Sequence, residues 1–141
     1  MRKIQVDMSG LIYAVEDQND SSVHFLDTQT GEVISIVEDF DLPEDDEMRD
    51  RLEESPDRFL PLEPMDSSQS FEIMEDFVRS LPGSKAKEVL HGVLCQPKPF
   101  RRFKDSIGEF PNISSRWLEF HDSRIKEHVV AWLGGHNIQP V

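Results

Sequence analysis

The chain has a single cysteine, Cys95, in 141 residues. That excludes an internal disulfide and fits a reducing cytoplasm. Apolar runs are only a few residues long, far short of the roughly 20 that a membrane-spanning helix needs. The basic start of "MRKIQVDMSG" is followed by no apolar stretch, so neither a signal peptide nor membrane attachment is expected. The seven glycines are scattered. They form neither GxxxxGK nor GxGxxG, and no GxSxG is present, which excludes the usual phosphate loops and the serine elbow. No repeat of 20–50 residues is visible.

What is there is globular. With 37% hydrophobic and 30% charged residues the chain is too apolar for disorder throughout, and its length fits one domain, 1–141. The formal charge of -13 is unevenly placed. Residues 1–70 hold 19 acidic and 5 basic side chains, whereas residues 71–141 hold 9 and 10. An acidic half of about 1–66 therefore precedes a nearly neutral half of about 67–136. A field of this sign repels phosphate backbones, so nucleic acid is not the expected partner, and a basic protein is.

Local patterns give most elements. Asp7 or Ser9 can cap a helix over about 8–16 carrying Leu11, Ile12 and Val15. "VHFLDTQTGEVISIV" reads as a hairpin, 22–27 and 32–37, around a turn with Gly31 free to take positive φ. Pro43 can open a helix whose first turn is acidic, and Pro56 ends it. "RFLPLEP" reads as an edge strand over 58–63. The second half is helical: "SSQSFEIMEDFVRSLPG" with serine caps, "SKAKEVLHGVLC" from Ser84, a helix after Pro99, and one from about Ser114 to Leu133 stopped by Gly134 and Gly135. The expected core draws on Phe71, Met74, Phe77, Leu90, Val93, Phe100, Phe103, Ile107, Trp117, Phe120, Ile125, Val129 and Trp132. The fold class is α+β, a small antiparallel sheet of hairpin plus edge strand packed against a mostly helical C-terminal half.

"QPKPFRRFKDSIGEF" stands out because Lys98, Arg101, Arg102 and Lys104 interleave with Phe100 and Phe103. Nucleic-acid binders mix basic and aromatic residues in this way. Helical spacing separates the two sets, however. Phe100, Phe103, Ile107 and Phe110 fall on one stripe that excludes Arg101 and Arg102, so the rings are expected in the core. Two arginines near a helix start oppose the helix dipole. They are therefore expected to pair with carboxylates of the acidic half or of a partner.

Other constellations lead to little chemistry. His121, Arg124 and His128 share a helix face with Trp117, but the two histidines lie roughly 10 Å apart along the axis, too far for one metal ion. His91 and Cys95 are i, i+4, a spacing that offers a thiolate–imidazole pair, yet no further cysteine completes a site. The acidic run 38–47 fails the calcium-loop pattern: counting from Asp39 the sixth residue is Glu44 where glycine is needed, and counting from Asp17 the twelfth is Thr28. No metal or cofactor is expected.

"FLDTQTGEVI", "FEIMEDFV", "PFRRFKDSI", and "RWLEFHDSRIKEHVVAWL" with "HNI" together resemble an uncharacterised bacterial protein family over about residues 5–138. The resemblance implies a compact cytoplasmic α+β protein and carries over no activity, cofactor or catalytic residue. His121 and His128 stand where charged or apolar residues would be expected, which puts histidine chemistry in doubt. The expected function is a non-enzymatic interaction or regulatory protein using the acidic N-terminal half. The alternative is a small-molecule binder or hydrolase with a basic and histidine face of Arg101, Arg102, His121, Arg124 and His128.

Overall fold

The computed structural model describes residues 2–17, 22–37 and 43–141, with the backbone alone for 43–45. The acidic segment 38–42 thus lies outside the described residues. The elements run β1 (Arg2–Ile4), α1 (Met8–Glu16), β2 (Ser22–Asp27), β3 (Val33–Val37), α2 (Pro43–Glu54), β4 (Phe59–Leu62), α3 (Ser67–Ser80), α4 (Lys85–Leu94), α5 (Pro99–Ile107), α6 (Pro111–Gly135) and β5 (Ile138–Pro140). The class is α+β, with an antiparallel sheet ordered β3-β2-β4 and a helical C-terminal half. No described helix is long and apolar enough to cross a membrane. Two compact units emerge, Met1–Met65 with Ile125–Val141, and Asp66–Arg124.

The first unit is organised by "LDTQTG". The Asp27 carboxylate accepts from the backbone N–H of Gln29 at 2.9 Å and of Thr30 at 3.4 Å, and the Gly31 N–H donates to the Asp27 carbonyl at 2.7 Å. Gly31 takes φ 79°, and a Cβ there would strike the Gln5 carbonyl oxygen, so only glycine closes this turn. β4 joins the other side of β2, where both the N–H and the hydroxyl of Thr28 donate to the Arg58 carbonyl, at 2.9 and 2.7 Å. α1 starts on the Asp7 carboxylate, which accepts from the Gly10 N–H at 3.1 Å. It buries Leu11, Ala14 and Val15. Leu26, Ile36, Phe59 and Leu62 are buried with them in this unit, as are Ile125, Val129 and Leu133 of α6, four residues apart. Each of these side chains larger than alanine contributes about 1.5–3 kcal/mol by leaving water.

In the second unit Phe77, Val78, Leu90, Val93, Phe103 and Ile107 form one buried cluster of α3, α4 and α5. Trp117 of α6 packs on it, edge to face with Phe77 at 5.3 Å and with Phe103 at 5.0 Å.

Several expectations need correction. α3 is capped by Asp66 rather than by serine. Its carboxylate accepts from the Gln69 N–H at 2.8 Å while Gln69 returns a bond to the Asp66 N–H at 3.1 Å, a capping box that satisfies two orphan donors. α6 begins at Pro111, and it runs through Gly134 and Gly135, stopping where Asn137 turns to φ 60°. β1 and β5 were not expected. They pair in parallel, Arg2 opposite Ile138, as a separate two-stranded sheet. Phe100 is 43% exposed instead of buried, although Phe103 and Ile107 on the same stripe are buried as expected.

Candidate functional site

The outward face of α3 carries two adjoining surface depressions. The amphipathic pattern of "SFEIMEDFVRS" buries Met74, Phe77 and Val78 and turns Glu72, Glu75 and Arg79 outward. Against α4, a half-open cavity of about 510 Å³ is lined by Phe71, Val78 and Leu94, with Arg79, Lys87, His91 and Cys95 among its polar members. Next to it, and sharing Phe71, Glu75 and Arg79, a shallower groove runs past Glu72 and Asp76 to Phe100 of α5. Phe71 and Phe100 meet edge to face at 6.3 Å, so their rings form a continuous apolar step.

The charges on this face are not equivalent. Asp76 is already balanced: Arg124 donates to it at 2.8 Å and Arg79 at 3.3 Å, and the Arg124 guanidinium also lies 5.6 Å from the Phe120 ring centre. Glu72 and Glu75 have no ion pair among the described residues. The groove therefore combines two aromatic rings with two uncompensated carboxylates. That combination suits an apolar group flanked by cationic groups.

The family model for Uncharacterised protein family (UPF0158) matches residues 1–141. The chain belongs to this family. A UPF0158 protein of Pseudomonas aeruginosa is 32% identical over 140 residues, 99% of this chain and 88% of the relative. No solved structure matches.

The basic and histidine residues singled out in the sequence are not gathered at one place in this UPF0158 chain. Arg101 and Arg102 are exposed on α5. Arg102 donates through Nε to the Pro97 carbonyl at 2.9 Å, which ties the helix start to its own lead-in loop. Neither arginine pairs with a carboxylate among the described residues, so the expected ion pairs are absent there, and the Pro97 carbonyl takes that role for Arg102. His121 lies against the Trp117 ring at 5.1 Å, with Nδ1 3.7 Å from Asp122. Arg124 is committed to Asp76. His128 falls in the part of α6 that belongs to the first unit. None of the five lines the α3–α4 cavity. His91 and Cys95 both do, at the i, i+4 spacing read from the sequence. Among the described residues no group of three or more His, Cys, Asp or Glu could hold a metal ion.

Sequence reasoning missed the α3 face because Glu72 and Glu75 look like any solvated helix face. The exposure of Phe100 had a signal. It is the second residue of its helix, next to Pro99. An apolar stripe that starts in the first turn can overhang the element it packs on.

Proposed function

We propose that this chain is an interaction protein that receives a basic, apolar-anchored segment of a partner protein in the α3 groove. The observation that carries the reading is the step formed by the half-buried Phe71 and the exposed Phe100 beside Glu72 and Glu75, carboxylates with no ion pair among the described residues. An apolar anchor would cover the rings, and flanking lysines or arginines would meet the glutamates. The strong acidity of the N-terminal half adds long-range attraction for the same basic partner, through the exposed Asp46, Glu47, Asp50, Glu53 and Glu54 of α2. The reading takes the cytoplasm as the compartment, the location that a lone exposed thiol at Cys95 favours.

The test uses a panel of fluorescent peptides combining Lys or Arg with Leu or Phe, measured by anisotropy at low and high salt. Binding is expected to fall at least tenfold with E72K/E75K, to fall similarly with F100A, and to weaken with salt. An acidic version of the same peptides should not bind. Equal affinity for the native chain and both variants sinks the proposal.

A second reading rests on the α3–α4 cavity, whose volume and apolar lining are within the range of small-molecule sites. Its ligand would meet His91 and Cys95 at one end. A metabolite that protects Cys95 from alkylation, with no effect on peptide binding, would favour this alternative.

A further inference from the structure

The first unit holds a hydrogen-bonded relay of the three residue types used in serine hydrolases, on residues that the α3 groove does not involve. His24 is only 3% exposed. Its Nε2 lies 2.8 Å from Asp17 Oδ2, and its Nδ1 lies 2.7 Å from Ser35 Oγ. A carboxylate can only accept, so in the neutral imidazole the proton sits on Nε2. Nδ1 is then the acceptor, and the Ser35 hydroxyl must be the donor. We propose that Ser35 is an activated nucleophile, with His24 as its general base and Asp17 as the positioning residue, and that this site cleaves small carboxylic esters.

The strand register places the parts. The Asp27 N–H donates to the Glu32 carbonyl, which makes 25↔34 and 23↔36 the hydrogen-bonded pairs of the hairpin. His24 and Ser35 are then a non-bonded pair, the kind whose side chains stand closest. Among the described residues β3 is an edge strand, so the Ser35 N–H points away from β2 to the side where no described strand pairs. It is the donor available to an oxyanion formed at its own side chain. Ser35 is exposed while His24 is sealed and Asp17 is 15% exposed, so a substrate reaches the nucleophile and water does not flood the base. Tyr13, 68% exposed and edge-on to His24 at 6.3 Å, offers a wall for the acyl group or the leaving group. The open surface favours short acyl chains.

The cycle balances without any further reagent than water. Ser35 Oγ bonds to the acyl carbon as its proton moves to Nδ1. The carbon–alkoxide bond breaks, and the alkoxide leaves with that proton. Water then attacks the acyl-serine and gives a proton to Nδ1. The carbon–Oγ bond breaks, the carboxylic acid departs, and Ser35 recovers its proton. His24 uses the opposite ring nitrogens from the familiar serine hydrolases, which leaves the proton path equivalent.

Reaction of the full chain with a fluorophosphonate probe, read by peptide mass spectrometry, tests the assignment. The native protein should carry the probe on Ser35, and S35A should lose it while its circular dichroism remains that of the folded chain. The native chain should also release p-nitrophenol from p-nitrophenyl acetate at least tenfold faster than S35A. H24Q and D17N should each slow labelling at least tenfold. D17N is the safeguard if H24Q does not fold, and its circular dichroism and melting must match the native chain. Labelling of Ser35 that is absent, or equal in the native chain, D17N and the urea-unfolded chain, overturns the proposal.

Discussion

Arg58 grips Asp27 through two parallel bonds, Nε to Oδ1 and Nη2 to Oδ2, each 2.9 Å long. The residues are 31 apart in sequence. The contact joins the end of β2 to the entry of β4, and the same carboxylate organises the hairpin turn. The Asp27 side chain is 5% exposed, and the Arg58 guanidinium also covers the Phe59 ring at 5.0 Å. A fork-to-fork pair of this kind fixes geometry as well as charge.

Asp27→Asn removes the charge and one acceptor while keeping the shape. It leaves Arg58 without its counter-ion, and the expected loss is about 2–3 kcal/mol. Arg58→Lys is expected to lose nearly as much, because an ammonium cannot make both bonds at once. Urea unfolding followed through Trp132 in a Trp117→Phe background would read the first unit separately, since Trp132 belongs to it and Trp117 does not. Equal midpoints for the parent and both variants would contradict the role given to this pair.

The pair also sets an acid limit. Hydrogen bonding from Arg58, aided by the backbone N–H of Gln29 and by Thr30, holds the Asp27 carboxyl down from 3.8 to about 2, against the opposing effect of burial. A depressed folded pKa means stability that is fully present above the unfolded value, about pH 4, and lost as pH falls through about 2. The linked contribution is about 2 kcal/mol. Urea midpoints measured from pH 5 to pH 2 should therefore fall more steeply for the parent than for Asp27→Asn. Parallel curves would show that the contact does not carry this acid dependence.

How much of this was legible depended on the range of the interactions. α1, the hairpin, α2 and α4 are written locally, in caps, turn residues and apolar spacing, and they were read within a residue or so. The serine hydroxyls before α3 masked Asp66 as the cap, because only the reciprocal bond to Gln69 separates the candidates. β1 and β5 have three residues each and pair the two ends of the chain, so no local pattern announces them. On the site side, Glu72 and Glu75 became informative only once Asp76 was seen to hold both nearby arginines. The relay of Asp17, His24 and Ser35 was invisible because strand register, not spacing, brings His24 opposite Ser35.

Gly31→Ala should be among the most damaging small substitutions. The backbone there is left-handed, at φ 79°, and the new Cβ would press on the Gln5 carbonyl oxygen and the Val6 Cα, both backbone atoms that cannot swing aside. A loss of at least about 3 kcal/mol is expected. Gly83→Ala is the control, since a Cβ there meets nothing within 4 Å. A Gly31→Ala chain that melts with the parent would refute the turn geometry.

Phe100 and Phe103 lie on one stripe and should behave oppositely. Phe103 is 2% exposed in the cluster and touches Trp117, so Phe103→Ala should cost about 3–5 kcal/mol. Phe100→Ala, at a residue 43% exposed whose ring meets Phe71 edge to face, should cost no more than about 1 kcal/mol. Chemical denaturation separates the two, and a large loss at Phe100 would mean that its ring is structural and not presented for binding.

Lys98 sits at φ 55°, ψ 54° before α5, with no side-chain bond to cap the helix. A left-handed backbone costs a residue with a Cβ about 1–2 kcal/mol, and glycine avoids that cost. Part of the gain is offset, because glycine also frees the unfolded chain. The expected net for Lys98→Gly is a stabilisation of about 0.5–1 kcal/mol, a rise in melting temperature of roughly 2–4 °C. Asn137 has a similar φ of 60°, but asparagine tolerates this region, so Asn137→Gly should leave stability nearly unchanged. Calorimetry on the two variants isolates the backbone term, because neither side chain makes a described contact that the substitution would remove. A gain at Asn137 with none at Lys98 would reverse the assignment of strain.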